Sequence, residues 1–171
     1  MNEREPIYLY DHAGEILKSL STYGVLCTVV NQEGHANVLT LGWGLLGPNY
    51  EGHPIFVIAV SPLRYSWMYL EEVPEFVVAI ADESLREALD FCGSASGFDF
   101  ENKFEAAGLT PVPSLHIRAP SIRECSINIE CSIYTRVAPP HELLTPKHRE
   151  RPLEEQHTIY FAQVLGAYRW K

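Results

Sequence analysis

The six residues from Ser61 to Ser66 have the types and spacing of a phosphate-binding helix start. Ser61 would cap the helix and Pro62 would occupy its first position, where these two residue types are favoured. The first turn of a helix presents unpaired N–H groups and a partial positive charge, which Arg64 opposes unless an anion is bound. A phosphate there could accept hydrogen bonds from the amides, the Ser66 hydroxyl and the guanidinium. The local sequence is equally compatible with an exposed or carboxylate-paired Arg64.

A second candidate is the run of small residues at 92–97, which follows a predicted helix. Small side chains leave backbone N–H groups and hydroxyls accessible, so Ser96 could donate a hydrogen bond to a ligand. Lys103, a few residues further on, could add a positive charge. Taken alone, such a stretch is more often an ordinary loop than a binding site.

The predicted strand at 36–43 also carries groups that could contact a ligand. Asn37 and Thr40 offer polar atoms, and Trp43 at the strand end offers an aromatic plane. Each of these is an ordinary strand residue when it is considered by itself. The strand is therefore a candidate only in combination with the two preceding stretches.

Other patterns do not support a hydrolase, a metal site or a dinucleotide-binding motif. Three histidines with glutamates nearby, His141, His148 and His157, share no ligand spacing, so we expect no metal site. Residues Gly42–Gly47 match GxGxxG, but Pro48 and further turn residues follow where a helix should begin. No Ser/His/Asp or Cys/His arrangement has a local signature.

Hydrophobic periodicity predicts more strands than helices. We expect strands at 24–30, 36–43, 55–60, 75–81, 122–137 and 157–168, and helices at 11–20, 61–70, 85–92 and 100–107. Hairpins and short helices join the strands, which favours an antiparallel barrel with peripheral helices over a doubly wound sheet. The polar, proline-interrupted stretch Ala138–Gln156 has the length of a lid, a partner contact or a disordered loop.

Composition limits the class of protein. The chain has 171 residues and 46% hydrophobic residues, which suits one domain, 1–171, with one core. Its net charge of −9 disfavours nucleic acid and anionic lipid as partners. No apolar run has the length of a membrane span, and no leader segment is visible, so we expect a cytoplasmic protein. The four cysteines are expected to be free thiols, with Cys125 and Cys131 on the same face of one strand.

Taken in order, these stretches resemble the flavin reductase-like family of FMN-binding split barrels, which includes flavoredoxins and ferric reductases. The resemblance covers nearly the whole chain, roughly from Tyr23 to Val164. It is carried by Gly34–Trp43, Arg64-Tyr65-Ser66, Cys92–Gly97 with Lys103-Phe104, Glu130-Cys131, and His157–Tyr160 with Val164. Each stretch is modest, but their order and spacing together are fairly specific.

The resemblance implies a mainly β fold with peripheral helices, an antiparallel Greek-key-type barrel that binds FMN. It also implies a homodimer with FMN in a groove near the subunit interface. The strand end from Thr40 to Trp43 would line the isoalloxazine ring, and Arg64 and Ser66 would hold the phosphate. His157 resembles the family's strand-opening histidine, which lies near the nicotinamide, and is the catalytic candidate. The implied cofactor-binding residues are Asn37, Thr40, Leu41, Gly42, Trp43, Arg64, Ser66, Ser96 and Lys103.

The activity implied by the resemblance is an FMN-dependent oxidoreductase. Electrons would pass from NAD(P)H or a protein donor to free flavin, ferric iron or a redox partner. The reductases commonly have Gly-Asp before the histidine and a Gly-Glu or Gly-Arg pair further along, whereas this chain has Glu155-Gln156 and Ala162-Gln163. These differences leave the electron donor open. They also leave open a non-catalytic FMN-binding electron carrier or a ligand-binding module of the same fold, whereas an oxidase acting on a small amine has no supporting residue set.

Overall fold

The computed structural model describes residues 3–171, which form mainly β strands. The strands are β1 (Arg4–Pro6), β2 (Val25–Val30), β3 (Ala36–Leu41), β4 (Gly44–Pro48), β5 (Pro54–Val60), β6 (Glu75–Ile80), β7 (Pro111–Val112), β8 (Ser121–Ile122), β9 (Ile127–Val137) and β10 (Thr158–Trp170). The helices are α1 (Ala13–Thr22), α2 (Tyr65–Glu72), α3 (Arg86–Ser94), α4 (Lys103–Ala106) and α5 (Pro146–Arg149). None of these helices has the length and apolar character needed to cross a bilayer.

The main sheet is antiparallel and has the strand order β3-β2-β6-β9-β10-β5-β4. The two long strands β9 and β10 lie in its middle, and β1 pairs with the far end of β10. The first and last strands therefore belong to the same sheet. The arrangement confirms the predicted class, mainly antiparallel β with helices around the sheet.

The sheet has a hydrophobic layer on each face. Along β2, Cys27 and Val29 point into an inner cluster that also contains Ile16 of α1 and Leu70 of α2. The alternate residue Leu26 belongs to an outer cluster that α3 and α4 cover. Because successive strand side chains point to opposite faces, a strand buried on both faces is apolar at every position, as most of β2 is.

Strand β4 was not predicted from the sequence, in which Pro48 and the residues after it indicate a turn. The predicted strand at 36–43 ends at Leu41, and Gly42 and Trp43 form the bend that leads into β4. Its glycine and proline content lowers strand propensity, but β4 lies at the sheet edge and pairs with β5. A Cβ on Gly44 would lie 3.0 Å from the Phe56 ring, so glycine is needed for this close approach.

Helix α2 begins at Tyr65, three residues after Pro62, the predicted first helical position. The Ser61 hydroxyl oxygen accepts from the Leu63 amide at 3.2 Å, and the Arg64 amide donates to the Ser61 carbonyl oxygen at 2.9 Å. Ser61 and Pro62 thus form a turn before the helix. Arg64 is the extended N-cap residue, with φ −85° and ψ 136°, rather than a member of the first turn.

The predicted strand at 122–137 is interrupted. Residues 123–126 form a turn in which the Ser126 amide donates to the Ile80 carbonyl oxygen at 2.9 Å. Cys125 consequently packs in the outer cluster and Cys131 in the inner cluster, so the prediction that they share a face of one strand was wrong. All four cysteines are buried and free.

The segment 138–157 connects β9 to β10 and is closed at its base. The His141 amide donates to Gln156 Oε1 at 2.9 Å, and His141 Nε2 donates to the His157 carbonyl oxygen at 2.6 Å. Gln156 is nearly fully buried. These contacts bring the two ends of the segment together, directly before the first residue of β10.

Candidate functional site

A pocket lies between β3, the start of α2 and the loop after α3. Its volume is about 120 Å³. Six of the predicted site residues line it: Asn37, Thr40, Arg64, Ser66, Ser96 and Lys103. The fold therefore brings together three stretches that are far apart in sequence, and we call this cavity the first pocket.

Ser66 has a hydroxyl prepared to donate to a ligand. Asn37 Nδ2 donates to Ser66 Oγ at 2.8 Å, and both residues are almost completely buried. Because the oxygen already accepts, the hydroxyl hydrogen is directed elsewhere. Among residues 3–171 we find no protein acceptor for it. A ligand oxygen in the first pocket would supply that acceptor.

Thr40 has the opposite hydrogen-bonding role to Ser66. Thr40 Oγ1 donates to the Leu89 carbonyl oxygen at 2.6 Å, which uses its only hydroxyl hydrogen. Towards a ligand, Thr40 can therefore act only as an acceptor. This suits a ligand that carries an N–H or O–H group near β3 as well as an anionic group near α2.

The Arg64 guanidinium faces the first pocket and is largely uncommitted. One nitrogen, Nη1, donates to the Gly93 carbonyl oxygen at a long 3.4 Å. In the described part of the chain, no carboxylate oxygen lies within 4.0 Å of it. A guanidinium has five N–H donors in a planar fork, so Arg64 keeps most of its capacity for a phosphate.

Lys103 is buried, with 5% of its surface exposed, and it holds the loop after α3. Its Nζ donates to the carbonyl oxygens of Cys92 at 3.0 Å and Ala95 at 2.7 Å. Burial lowers the pKa of the ammonium group, the nearby Arg64 charge lowers it further, and Cys92 opposes this change. An anion in the first pocket would offset the cost of burying this charge.

Gly97 allows the loop to pass close to α2. A Cβ at this position would lie 2.1 Å from Cδ1 of the Tyr65 ring. The same ring packs edge-on against Phe98, with centroids 4.4 Å apart. The Ser96 hydroxyl oxygen accepts from the Phe98 amide at 3.2 Å, which fixes the turn. The loop is therefore in direct contact with Tyr65, the first residue of α2.

The charge of the first pocket differs from that of the whole chain. The chain has a net charge of −9, yet the residues that line this pocket include Arg64 and Lys103 and no Asp or Glu. Guanidinium, ammonium, a donor hydroxyl and the free amides of a helix start are the groups that bind a phosphate dianion. The donor set therefore fits the phosphate of FMN.

The other predicted residues lie outside the first pocket. Leu41 is buried in the inner cluster, so its side chain faces the core. Gly42 lies beside α1, with Leu17 and Lys18, and Trp43 has 46% of its surface exposed. Contacts of Leu41, Gly42 and Trp43 with a flavin ring stay predictions.

His157 lines a second, adjacent pocket that shares Arg64 with the first. Burial lowers the pKa of its imidazole, and the charges of Arg151 and Arg64 lower it further. A hydrogen bond with the Glu155 backbone acts in the opposite direction. Arg151 was not predicted, because the charged stretch 138–156 contains no local signal that distinguishes one arginine from the others.

The chain matches the family model described as flavin reductase like domain over residues 17–169. It belongs to that family. An uncharacterised protein of Archaeoglobus fulgidus is 33% identical to this flavin reductase-like domain over 123 residues, 72% of this chain and 66% of that protein. The chain thus spans about two thirds of this relative.

Solved structures share the fold of this flavin reductase-like domain. Flavoredoxin of Desulfovibrio vulgaris has a TM-score of 0.67 at 21% identity, covering 85% of this chain and 68% of that one. The FMN-binding domain of a flavin reductases-like enzyme from Shewanella baltica has a TM-score of 0.69 at 16% identity, covering 98% and 78%. The predicted split-barrel fold is confirmed. Family and neighbours together support a flavin-related redox function.

Proposed function

We propose that this chain is an FMN-dependent oxidoreductase that takes electrons from NAD(P)H or a protein donor. The acceptor would be free flavin, ferric iron or a redox partner. The observation that carries the proposal is the first pocket, which places the Arg64 guanidinium, the Ser66 hydroxyl and the Lys103 ammonium around one space without a carboxylate. The family of the chain supports a flavin as the ligand.

Within this proposal the residues divide into those that bind the phosphate and those that hold the binding groups. Arg64, Ser66 and the first amides of α2 would bind it directly. Asn37 would orient Ser66 through the 2.8 Å hydrogen bond, and Lys103 would hold the loop through two carbonyl oxygens. When bound, FMN would supply the reversible two-electron chemistry that amino acid side chains lack.

His157 would act beside this pocket as a neutral group. Its lowered pKa favours the uncharged imidazole at neutral pH, so one ring nitrogen donates and the other accepts. Such a ring can hold a polar group of an electron donor without a change in its own charge. The expected homodimer and the identity of donor and acceptor stay predictions.

The first test is spectroscopic. Purified protein incubated with FMN should retain oxidised-flavin absorbance after gel filtration, and anaerobic addition of NADH or NADPH should bleach it. Bleaching by dithionite but by neither nucleotide would favour the electron carrier over a reductase. A protein that retains no flavin would contradict the proposal.

Arg64→Gln tests the phosphate contact. Loss of a charge-assisted, bidentate contact is worth about 1.5–3 kcal/mol, so we expect the Kd for FMN to rise roughly 10- to 100-fold. Riboflavin, which lacks the phosphate, should bind wild type and variant alike when binding is followed by flavin fluorescence. Arg86→Gln, which removes an exposed arginine paired with Asp90, is the control and should leave both affinities unchanged. Equal weakening of FMN and riboflavin would contradict the assigned role.

A further inference from the structure

A groove lies beside the first pocket, between the loop 97–105 and the start of β3. Tyr65 and Tyr69 of α2 also line it, and its volume is about 1230 Å³. Pockets that enclose small molecules have volumes of roughly 300–1,000 Å³. Most side chains of the loop are exposed, so the groove is open to solvent. Its size and openness suit a segment of protein better than a small molecule, and we call it the aromatic groove.

Two phenylalanine side chains of the loop are exposed in the aromatic groove. Phe98 has 69% of its surface exposed, and Phe100 has 37%. Phe98 packs edge-on against Tyr65 with ring centroids 4.4 Å apart, and Phe100 packs edge-on against Phe91 at 5.2 Å. These contacts fix the two rings in position while much of their surface stays in water. Exposed apolar surface that is rimmed by polar residues is typical of an interaction site.

Three exposed carboxylates accompany these rings in the groove: Asp99, Glu101 and Glu105. Among residues 3–171, none of the three has a Lys, Arg or His nitrogen within 4.0 Å. Lys103 also lines the groove, but its ammonium donates to two backbone carbonyl oxygens. His35, on the opposite wall, contacts the Glu33 carboxylate at 3.4 Å. The exposed charge of the aromatic groove is therefore negative, whereas that of the first pocket is positive.

Aromatic rings next to unpaired carboxylates are suited to binding cationic side chains. A Lys or Arg side chain is attracted to the face of an aromatic ring, and its N–H groups donate to carboxylate oxygens. The aliphatic stems of the same side chains pack on apolar surface. Nucleic acid and anionic lipid would be repelled by the three carboxylates. The groove thus matches a protein segment that carries both cationic and apolar side chains.

We propose that the aromatic groove is the docking site for a basic segment of a partner protein, in which Lys or Arg residues alternate with apolar residues. The two exposed phenylalanines would cover the apolar side chains, and the three carboxylates would pair with the cations. The inference goes beyond the proposed function and does not require a bound flavin. Because Tyr65 and Gly97 line both spaces, the docked partner would lie directly beside the first pocket.

The probe is a short fluorescein-labelled peptide of alternating lysine and leucine, and fluorescence anisotropy measures its binding at physiological ionic strength. The combined variant Asp99→Asn, Glu101→Gln, Glu105→Gln should weaken binding about tenfold, because it removes three exposed ion pairs. The matched control combines Glu51→Gln, Glu142→Gln and Glu154→Gln, which removes the same charge at exposed positions outside the groove. Since salt screens distant charges, this control should change the affinity by less than about twofold.

The contribution of the exposed rings is tested separately. Phe98→Ala should weaken binding of the lysine–leucine peptide about tenfold, as expected for an aromatic side chain at the centre of an interface. Tyr50→Ala removes a ring that is 96% exposed and lies outside the groove, and it should leave the affinity unchanged. A peptide of alternating lysine and serine should bind wild type about tenfold more weakly than the lysine–leucine peptide.

The FMN absorbance of each protein separates this inference from the proposed function. The groove carboxylate variant should retain as much FMN as wild type, because none of its three positions lines the first pocket. If wild type retains no flavin, the proposed function fails, and titration of the flavin-free protein still tests the docking site. No measurable peptide binding to wild type, equal affinity in the two combined variants, or equal affinity for the lysine–leucine and lysine–serine peptides would each overturn the inference.

Discussion

Backbone N–H groups face a site for negative charge in two parts of this molecule, but the chain supplies the anion in only one of them. On β9, the Glu130 carboxylate is completely buried and accepts from the amides of Leu115 at 2.7 Å and His116 at 2.8 Å. At the start of α2, the corresponding donors face a pocket that no carboxylate lines. The first arrangement is complete within the protein, and the second needs a ligand.

The two regions differ in whether the backbone N–H donors already have acceptors within the protein. Where they do, the anion is structural, and where they do not, a ligand has to supply it. His116 also contacts Glu130 through Nδ1 at 2.9 Å, so three contacts hold the loop between β7 and β8 against the central sheet. Removing a partner there leaves buried donors without acceptors. Removing the Arg64 guanidinium gives up only its long contact with the Gly93 carbonyl oxygen, so the cost should be in affinity for the ligand and not in stability.

The largest expected effect is the loss of stability when Glu130 is substituted. Glu130→Gln replaces one acceptor oxygen by an NH₂ group that faces another donor, so we expect a loss of about 3 kcal/mol in the free energy of unfolding. Urea denaturation measures this loss. Glu51→Gln, at an exposed turn, should change stability by less than about 0.5 kcal/mol. Equal losses of unfolding free energy in the two variants would show that the buried carboxylate of Glu130 is no more important for stability than an exposed one.

A smaller effect is expected at the loop beside α2. Gly97→Ala would bring its Cβ to 2.1 Å from the Tyr65 ring, which Phe98 and the 3.0 Å contact with the Tyr69 hydroxyl hold in place. We expect a loss of about 2 kcal/mol of stability and a roughly tenfold weaker FMN affinity, because the loop must move away from the pocket. Urea denaturation and fluorescence titration measure the two quantities.

Gly93→Ala is the matched control for Gly97→Ala. A Cβ at Gly93 would lie 3.4 Å from Cβ of Thr40, which is ordinary contact distance, and the residue is in α3. Alanine is favoured over glycine in helices, so stability should change by less than about 1 kcal/mol. A loss as large as that of Gly97→Ala would show that the measured cost does not depend on the local clearance of the added methyl group.

The elements of the core could be predicted from sequence because their patterns are local. The apolar runs of β2 and β6 lie within a residue of their predicted bounds, and α3 begins one residue after its predicted start. Edge strand β4 was missed because pairing with β5 stabilises it and its own residues do not favour strands. Long-range pairing has no local signature.

The candidate site was predictable in its parts and not in its geometry. Arg64, Ser66 and Lys103 were identified as candidates from the local sequence and from the resemblance, and the fold brings them together in one pocket. The turn at Ser61 and Pro62 resembles a helix start in sequence, and only the structure shows that Arg64 is the N-cap residue. Arg151 is distant in sequence from Arg64, so their convergence depends on how β10 pairs with β5.

The smallest expected effect concerns the charge balance around His157. Its pKa is lowered from 6.5 in the fold, so protonation favours the unfolded chain. Stability should therefore be highest above pH 6.5 and should fall as the pH drops towards the lowered pKa. The ring is partly exposed, so we expect a change well below 1 kcal/mol, and His157→Gln should remove it from urea unfolding midpoints measured across this range.

Adding an anion during a pH titration tests whether the pocket beside α2 lacks one. Burial lowers the pKa of His157, and the charges of Arg151 and Arg64 lower it further. In flavin-free protein, pyrophosphate bound at Arg64 would offset part of that charge, so the midpoint of the His157 resonance in NMR titrations should move upwards. His157→Gln assigns the resonance by its loss, and His35→Gln, at an exposed histidine, should leave the response intact. An equal shift of the His157 midpoint on adding sodium chloride to the same ionic strength would indicate general screening by the added salt, and the pocket beside α2 would then be no more in need of an anion than the rest of the surface.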